Sequence, residues 1–383
     1  MRILAFNPYH GGSHAQFIDQ WIAHSKHQFS LVTLPPRHFS WRIRQAAVGM
    51  AEAAKQLVDA GENFDLLWTT SMVDVAELRG LLPPALRSLP LVVYFHENQL
   101  VYPVQKANEK NERFALINWV SALAGDELWF NSQYNLNTLL AGLDKLLRKM
   151  PDEKSLDTLQ AIRLKSQIQP LGIESIGQLA SQGKTHPALH IAWVARWEHD
   201  KHPEQFFAAL KALKALGVNF RLTCLGQSFR KWPPAFDQAQ EDFQKEIVQF
   251  GFMENRREYH QALRECDVVV STADHEFFGI ALLEGVSGGL IPLVPRRLVY
   301  PEIYPDFCLY GGAHPKEGTG TKREDEDEGA LVKKLLELAE QKKRPGGLTD
   351  LYNDLRLKEL SNSFDWKERA PALDRAVEIC SSP

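Results

Sequence analysis

Short, almost wholly apolar runs alternate with helix-length amphipathic segments along this 383-residue chain, and the alternation stops once and begins again. No other feature restricts the fold as tightly. In the first series the runs are Ile3–Phe6, Phe29–Leu34, Leu66–Thr70, Leu91–Phe95 and Glu127–Asn131, with helical patterns at 14–25, 41–60 and 111–125 between them. A strand that lacks polar alternation must be covered on both faces, as a parallel strand flanked by helices is. The second series has runs at His190–Val194, Arg221–Leu225, Val268–Thr272 and Leu290–Val294, and helices near 203–216, 256–265 and 280–287. Each series predicts a doubly wound parallel α/β sheet. Two such Rossmann-like domains in tandem predict a ligand held where the carboxyl ends of their strands face a central cleft. Gln169-Pro-Leu-Gly172 and the small polar residues of 174–187 read as the connection, which places an N-terminal domain at 1–170 and a C-terminal domain at 171–363.

Composition narrows the partners. With 44 Lys+Arg against 48 Asp+Glu the net charge is −4, so a nucleic acid has no global field to follow and needs a local basic face. No apolar run approaches the roughly 20 residues that span a bilayer. The start, Met1-Arg-Ile-Leu-Ala-Phe-Asn-Pro8, turns polar too soon for a signal peptide, which predicts a cytoplasmic protein. Cys224, Cys266, Cys308 and Cys380 lie far apart and without zinc spacing, so they read as reduced, apolar side chains. The acidic run Glu324–Glu328 reads as a solvated loop or helix start, with Gly318–Gly320 as loop beside it.

Four clusters stand where strands end. Gly11 and Gly12 follow the first strand and open a helix, an arrangement that lets backbone N–H groups approach a phosphate; the string is neither GxGxxG nor a P-loop, and a plain tight turn is the competing reading. His96, Glu97, Asn98 and Gln99 follow Leu91–Phe95 and have the hydrogen-bonding range that sugar hydroxyls require, or form a polar strand–loop junction. Arg196 and Lys201 follow His190–Val194; an Arg fork with a Lys point charge neutralises a diphosphate, though such a pair is often surface charge. Glu276 and Glu284 stand eight positions apart around Phe277, Phe278 and Gly279. If a helix begins near Gly279, its N-terminus points at an anion with one acid in the loop before it and the other inside it.

These residues resemble the retaining GT-B glycosyltransferases, in the large family with sucrose and mannosyl transferases, over nearly the whole chain. Glu276-x7-Glu284 matches that family's acidic motif, Arg196 and Lys201 its phosphate pair, and Gly11-Gly12 its glycine loop. More narrowly, Gly11-Gly-Ser-His14, Leu34-Pro35, Trp41-Arg-x-Arg44, Tyr94-Phe-His-Glu-Asn-Gln-Leu-x-Tyr-Pro103 and Phe130-Asn-Ser132 are similar to the tRNA-queuosine alpha-mannosyltransferases. The resemblance implies transfer of mannose from GDP-mannose to the cyclopentene-diol of queuosine in the anticodon loop of tRNA-Asp. It implies His96, Glu276, Arg196 and Lys201 as the catalytic group, and Gly11, Gly12, Phe277, Phe278, Gly279 and Glu284 as further donor-binding residues. Glu276 would hold the sugar and Glu284 the ribose, with no cofactor and no metal. It also implies that Phe364-Asp-Trp366 and the helical pattern 367–380 cross back, adding 364–383 to the first domain.

Acceptor contacts are expected from His14, Glu97, Asn98 and Gln99, and from Arg37, Trp41, Arg42 and Arg44, where arginines interleave with aromatics in the mixture that grips phosphates and stacks bases. Arg148, Lys149, Arg163 and Lys165 extend this basic surface in the same reading. Two alternatives stay open: the same fold acting on a lipid, polysaccharide or small molecule, for which 41–60 is the one apolar amphipathic face, and a non-catalytic nucleotide-sugar or RNA-binding protein.

Overall fold

The computed structural model describes residues 1–101, 112–177, 186–228, 232–312 and 323–380. Tyr102, Pro103, the middle of the 174–187 connection and the Gly318–Gly320 loop lie outside them. Each apolar series folds into one six-stranded parallel sheet. The chain divides into a first unit, Met1–Gly172 with Trp366–Pro383, and a second, Ile173–Asp365.

In the first unit the strands are β1 (Arg2–Asn7), β2 (Gln28–Thr33), β3 (Leu66–Thr70), β4 (Leu91–Phe95), β5 (Glu127–Phe130) and β6 (Ser166–Ile168), in the order β2-β1-β3-β4-β5-β6. β3 and β4 are buried along their whole length, as the unbroken apolar runs require. β2 departs from that expectation: it pairs only with β1 and is merely half-buried, because an edge strand lacks a second neighbour. β6 is three residues of mixed polarity, too short to leave a pattern.

One face of this sheet is covered by the helix Phe39–Asp59, whose Ile43, Ala46, Ala47, Met50, Ala51 and Ala54 pack with Leu4, Phe6, Leu67 and Val93. The other carries an aromatic layer: Phe17 lies 5.9 Å from Trp68 and 5.7 Å from Trp366, and Trp21 lies 6.0 Å from Trp129 between ring centres. Trp366 opens the helix Trp366–Cys380, which this unit holds by polar ties as well. Asp374 accepts hydrogen bonds from Trp21 Nε1 (2.9 Å), Ser25 Oγ (2.6 Å) and the Lys26 amide (2.9 Å).

The second unit has β7 (Leu189–Val194), β8 (Phe220–Leu225), β9 (Ile247–Gly251), β10 (Val268–Val270), β11 (Ile291–Pro295) and β12 (Leu309–Tyr310), in the order β12-β11-β10-β7-β8-β9. β10 ends at Val270 rather than Thr272, where the chain leaves the ladder. The Ile173 amide donates to Phe364 O at 2.7 Å and Ile173 bridges to Asp365, so Phe364 and Asp365 count with this unit. The acidic run begins the helix Arg323–Lys342, and one expectation about it fails: Asp327 is buried, because Arg297 reaches it.

Candidate active site

Beyond β10 the chain runs through Ser271–Gly279 and enters the helix Ile280–Ser287. Gly279 caps that helix with φ +86, a conformation costly for any side chain, so the helix starts where the sequence places it. The loop is tied on several sides. Thr272 Oγ1 donates to Lys201 O (2.8 Å), the Asp274 amide donates to Asp200 O (2.9 Å), and Lys201 Nζ donates to His275 O (2.6 Å). These bonds join it to the segment after β7, which turns through a single helical turn, His199–Lys201, so that Lys201 points inward.

Lys201 Nζ then lies 3.5 Å from Glu276 Oε2 and 3.2 Å from Asp200 Oδ2. The other oxygen of Glu276 accepts from the backbone amides of Phe277 (3.1 Å) and Phe278 (3.2 Å). Burial works against both charges. Around Lys201 the carboxylates of Glu276 and Asp200 more than offset it, and the amine's pKa stands above the ordinary lysine value. Around Glu276, Lys201 and the Phe278 amide overcome burial and hold the carboxyl below its usual range. The adjacent His275 is pushed down to about 4, first by burial and then by Lys201. Arg196 is close enough to act electrostatically on both Lys201 and His275, while pairing with Glu198 at 3.1 Å on a half-exposed side chain. Lys201 thus meets Glu276 at the carboxyl end of β7 and β10, with Arg196 within electrostatic reach of Lys201.

Glu284 sits inside the helix and is buried, with Oε1 taking a hydrogen bond from Arg256 Nη2 (2.8 Å) and Oε2 one from the Tyr259 hydroxyl (3.0 Å). Arg256 also holds Glu174 at 2.9 Å. Phe277 and Phe278 are buried, the latter edge-on to Phe364.

In the first unit, Gly11 and Gly12 mark the start of the helix Gly12–His24 beside the end of β1. His96, one residue past β4, is 6% exposed and packed among His14, Tyr94 and Phe17, with ring centres 4.2, 4.5 and 5.2 Å away. Burial, then His14, depresses its pKa well below the histidine norm, so it is neutral at pH 7. Glu97 and Gln99 are half-buried and joined, Gln99 Nε2 donating to Glu97 Oε1 at 3.1 Å. Asn98 differs from its expected role. It is wholly buried, donates to Asn135 Oδ1 (3.0 Å) and Thr138 Oγ1 (3.1 Å), and accepts from the Leu100 amide (3.1 Å). Its side chain shapes the loop after β4 and presents nothing to an acceptor.

Arg37, Trp41 and Arg44 are exposed, Trp41 at 63%, and Arg44 lies over Phe114 at 5.5 Å; Arg42 is half-buried. Of the wider basic surface, Arg148, Lys149 and Arg163 are exposed and Lys165 is half-buried. Lys165 donates to Leu123 O and Gly125 O at the end of the helix Glu112–Ala124, and Arg148 is bound to Asp144 at 2.7 and 2.8 Å. Sequence reasoning missed Asp200, His275, Arg256 and Tyr259. The first two are neighbours of Lys201 and Glu276 in the chain; the other two reach Glu284 across 28 and 25 residues, with no spacing to betray them. Among the described residues no group of three or more His, Cys, Asp or Glu is placed to hold a metal ion, and no helix is long and apolar enough to cross a membrane.

Two six-stranded parallel sheets in tandem are the architecture of the GT-B glycosyltransferases. Solved structures share the fold: sucrose-phosphate synthase from Thermosynechococcus elongatus (TM-score 0.69, 12% identity, 99% of this chain and 98% of that one) and Anabaena HepE in complex with UDP (0.66, 12%, 99% and 100%). Residues 2–173 match the family described as tRNA-queuosine alpha-mannosyltransferase N-terminal, and residues 178–346 match glycosyl transferases group 1. A tRNA-queuosine alpha-mannosyltransferase of Drosophila melanogaster is 37% identical over 318 residues, 80% of this chain and 83% of that protein. The chain belongs to the tRNA-queuosine alpha-mannosyltransferase family and is a glycosyltransferase.

Proposed function

We propose that this enzyme transfers mannose from GDP-mannose, with retention, to the cyclopentene-diol of queuosine in the anticodon loop of tRNA-Asp. One observation carries the reading: in a chain of this family, Lys201 and Glu276 are both held ionised and in contact at the start of the helix Ile280–Ser287. The donor lies on the second unit. As its glycosidic bond breaks, negative charge grows on the diphosphate, and Arg196, Lys201 and the amides at the helix N-terminus stabilise it. Preorganised charge of this kind is usually the largest catalytic contribution. No metal is assigned, because the two side-chain cations supply that charge. Glu276 holds the transferred sugar, and Glu284, oriented by Arg256 and Tyr259, serves the ribose. The leaving phosphate takes the acceptor proton on the same face of the sugar.

Acceptor binding falls to the first unit. His96, being neutral, serves as a hydrogen-bonding partner and not as a cation. Arg37, Trp41, Arg42 and Arg44 meet the RNA by charge and stacking. Against the lipid alternative, Ile43, Ala46, Ala47, Met50, Ala51 and Ala54 of the helix Phe39–Asp59 face the core, although Trp41 and Val48 of that helix are exposed.

Incubation with queuosine-containing tRNA and each of GDP-mannose, UDP-galactose and UDP-glucose, followed by digestion to nucleosides and weighing, tests donor and acceptor together. A hexose on queuosine with GDP-mannose alone is expected, and Glu276→Gln should slow it by roughly two to three orders of magnitude. Transfer from a UDP-sugar, or sugar release with no tRNA adduct, refutes the assignment.

A further inference from the structure

Arg297, two residues beyond β11, has a side chain only 12% exposed. Its Nη1 donates to Asp327 Oδ2 at 2.5 Å, and its Nη2 to Asp274 Oδ1 at 2.9 Å and Ala273 O at 3.4 Å. Asp274 turns its other oxygen to His202 Nε2 at 2.9 Å. Asp274 stands two residues before Glu276, and His202 directly follows Lys201. A continuous set of contacts therefore runs from the helix Arg323–Lys342 into both segments that bear the Lys201–Glu276 pair.

Asp327 is 1% exposed in a run where Asp325 is exposed. Its seat depends on Gly311, which has φ +72 and would carry a Cβ only 2.0 Å from Asp327 Oδ1. Burying a carboxylate is expensive unless it is paired, and Arg297 is the matching group: its planar fork reaches two acids at once, which an ammonium on a flexible stem does less well.

We infer that Asp327 and Arg297 are positioning residues for the donor site, acting through Asp274 to hold the 273–276 loop where Glu276 meets Lys201. The inference rests on the reading that this pair faces the nucleotide-sugar. Neither residue touches the donor.

The test uses the full chain with Asp327→Asn, Arg297→Lys and Gly311→Ala, and with Asp325→Asn from the same run as control. Calorimetry gives the Kd for GDP, and initial rates give KM for GDP-mannose and kcat. The three network variants should raise Kd and KM on the order of tenfold while kcat changes by less than about threefold. Asp325→Asn should match the wild type. A purely structural network would lower the active fraction, and so kcat, with Kd and KM unmoved; that outcome overturns the inference. So does a wild-type GDP affinity retained by all three variants. Should Asp327→Asn not fold, Arg297→Lys, which keeps the charge but loses the fork, decides the matter. If the wild type binds no GDP, or Glu276→Gln transfers normally, the donor reading falls and takes this inference with it.

Discussion

Lys201 and Glu276 keep each other charged in surroundings that would otherwise neutralise both, and three nearby or comparably buried histidines go the opposite way. His275 and His190 are both lowered from 6.5 to about 4, chiefly by burial, and His96 is lowered too. Through these histidines the unfolded state binds more protons than the folded one between pH 6.5 and about 4, and their contribution to stability falls as pH is lowered through that window. Glu276 adds to the trend, since a carboxyl with a depressed folded pKa contributes stability that is lost as pH falls through that value. The urea midpoint should be lower at pH 5 than at pH 7, and replacing His190, which is held between Glu265 O and Thr223 Oγ1, should flatten the dependence. A midpoint indifferent to pH would contradict this account.

Among the elements, the helix Trp366–Cys380 joins the first unit across some 350 residues of chain, Asp374 reaching Trp21 over a separation of 353. Its amphipathic pattern was legible, because burying Ala370, Leu373, Ala376 and Val377 on one side leaves the 3.6-residue period in the sequence. The Asp374 carboxylate was not, since a buried acid looks like a surface acid until its donors are found. Asp374→Ala leaves three donors short of a partner and should cost about 2–4 kcal/mol in urea unfolding. Loss under about 0.5 kcal/mol, the usual effect of a surface change, would place that residue outside the core. The helix Ile280–Ser287 shows the reverse case: Gly279 and the apolar residues after it announce the element and its first residue locally, and the structure keeps both.

At the scale of the whole molecule, a net charge of −4 means that RNA affinity comes from a local patch and not from the overall field. Arg37, Trp41 and Arg44 face solvent, as does Arg148 although it pairs with Asp144, while Lys165 is turned onto the carbonyls of Leu123 and Gly125. Arg42→Ala with Arg44→Ala should weaken tRNA binding and reduce the slope of log K against log salt by about 1–2, with GDP affinity unchanged. A slope that does not move across a salt series would remove these arginines from the acceptor surface.

Local chemistry alone determined the two parallel sheets, the helix after Gly279 and the eight-residue spacing of Glu276 and Glu284, because strand burial, helical period and a left-handed cap are properties of contiguous residues. Tertiary structure decided which charges meet: Lys201 with Glu276 across 75 residues, Arg256 with Glu284 across 28, Arg297 with Asp327 across 30. It also buried Asn98 against Asn135 and Thr138 and turned Lys165 onto the carbonyls of Leu123 and Gly125. Those outcomes depend on how strands are ordered within a sheet and on which polar groups are left needing a partner once the apolar ones are buried, and no periodicity records either.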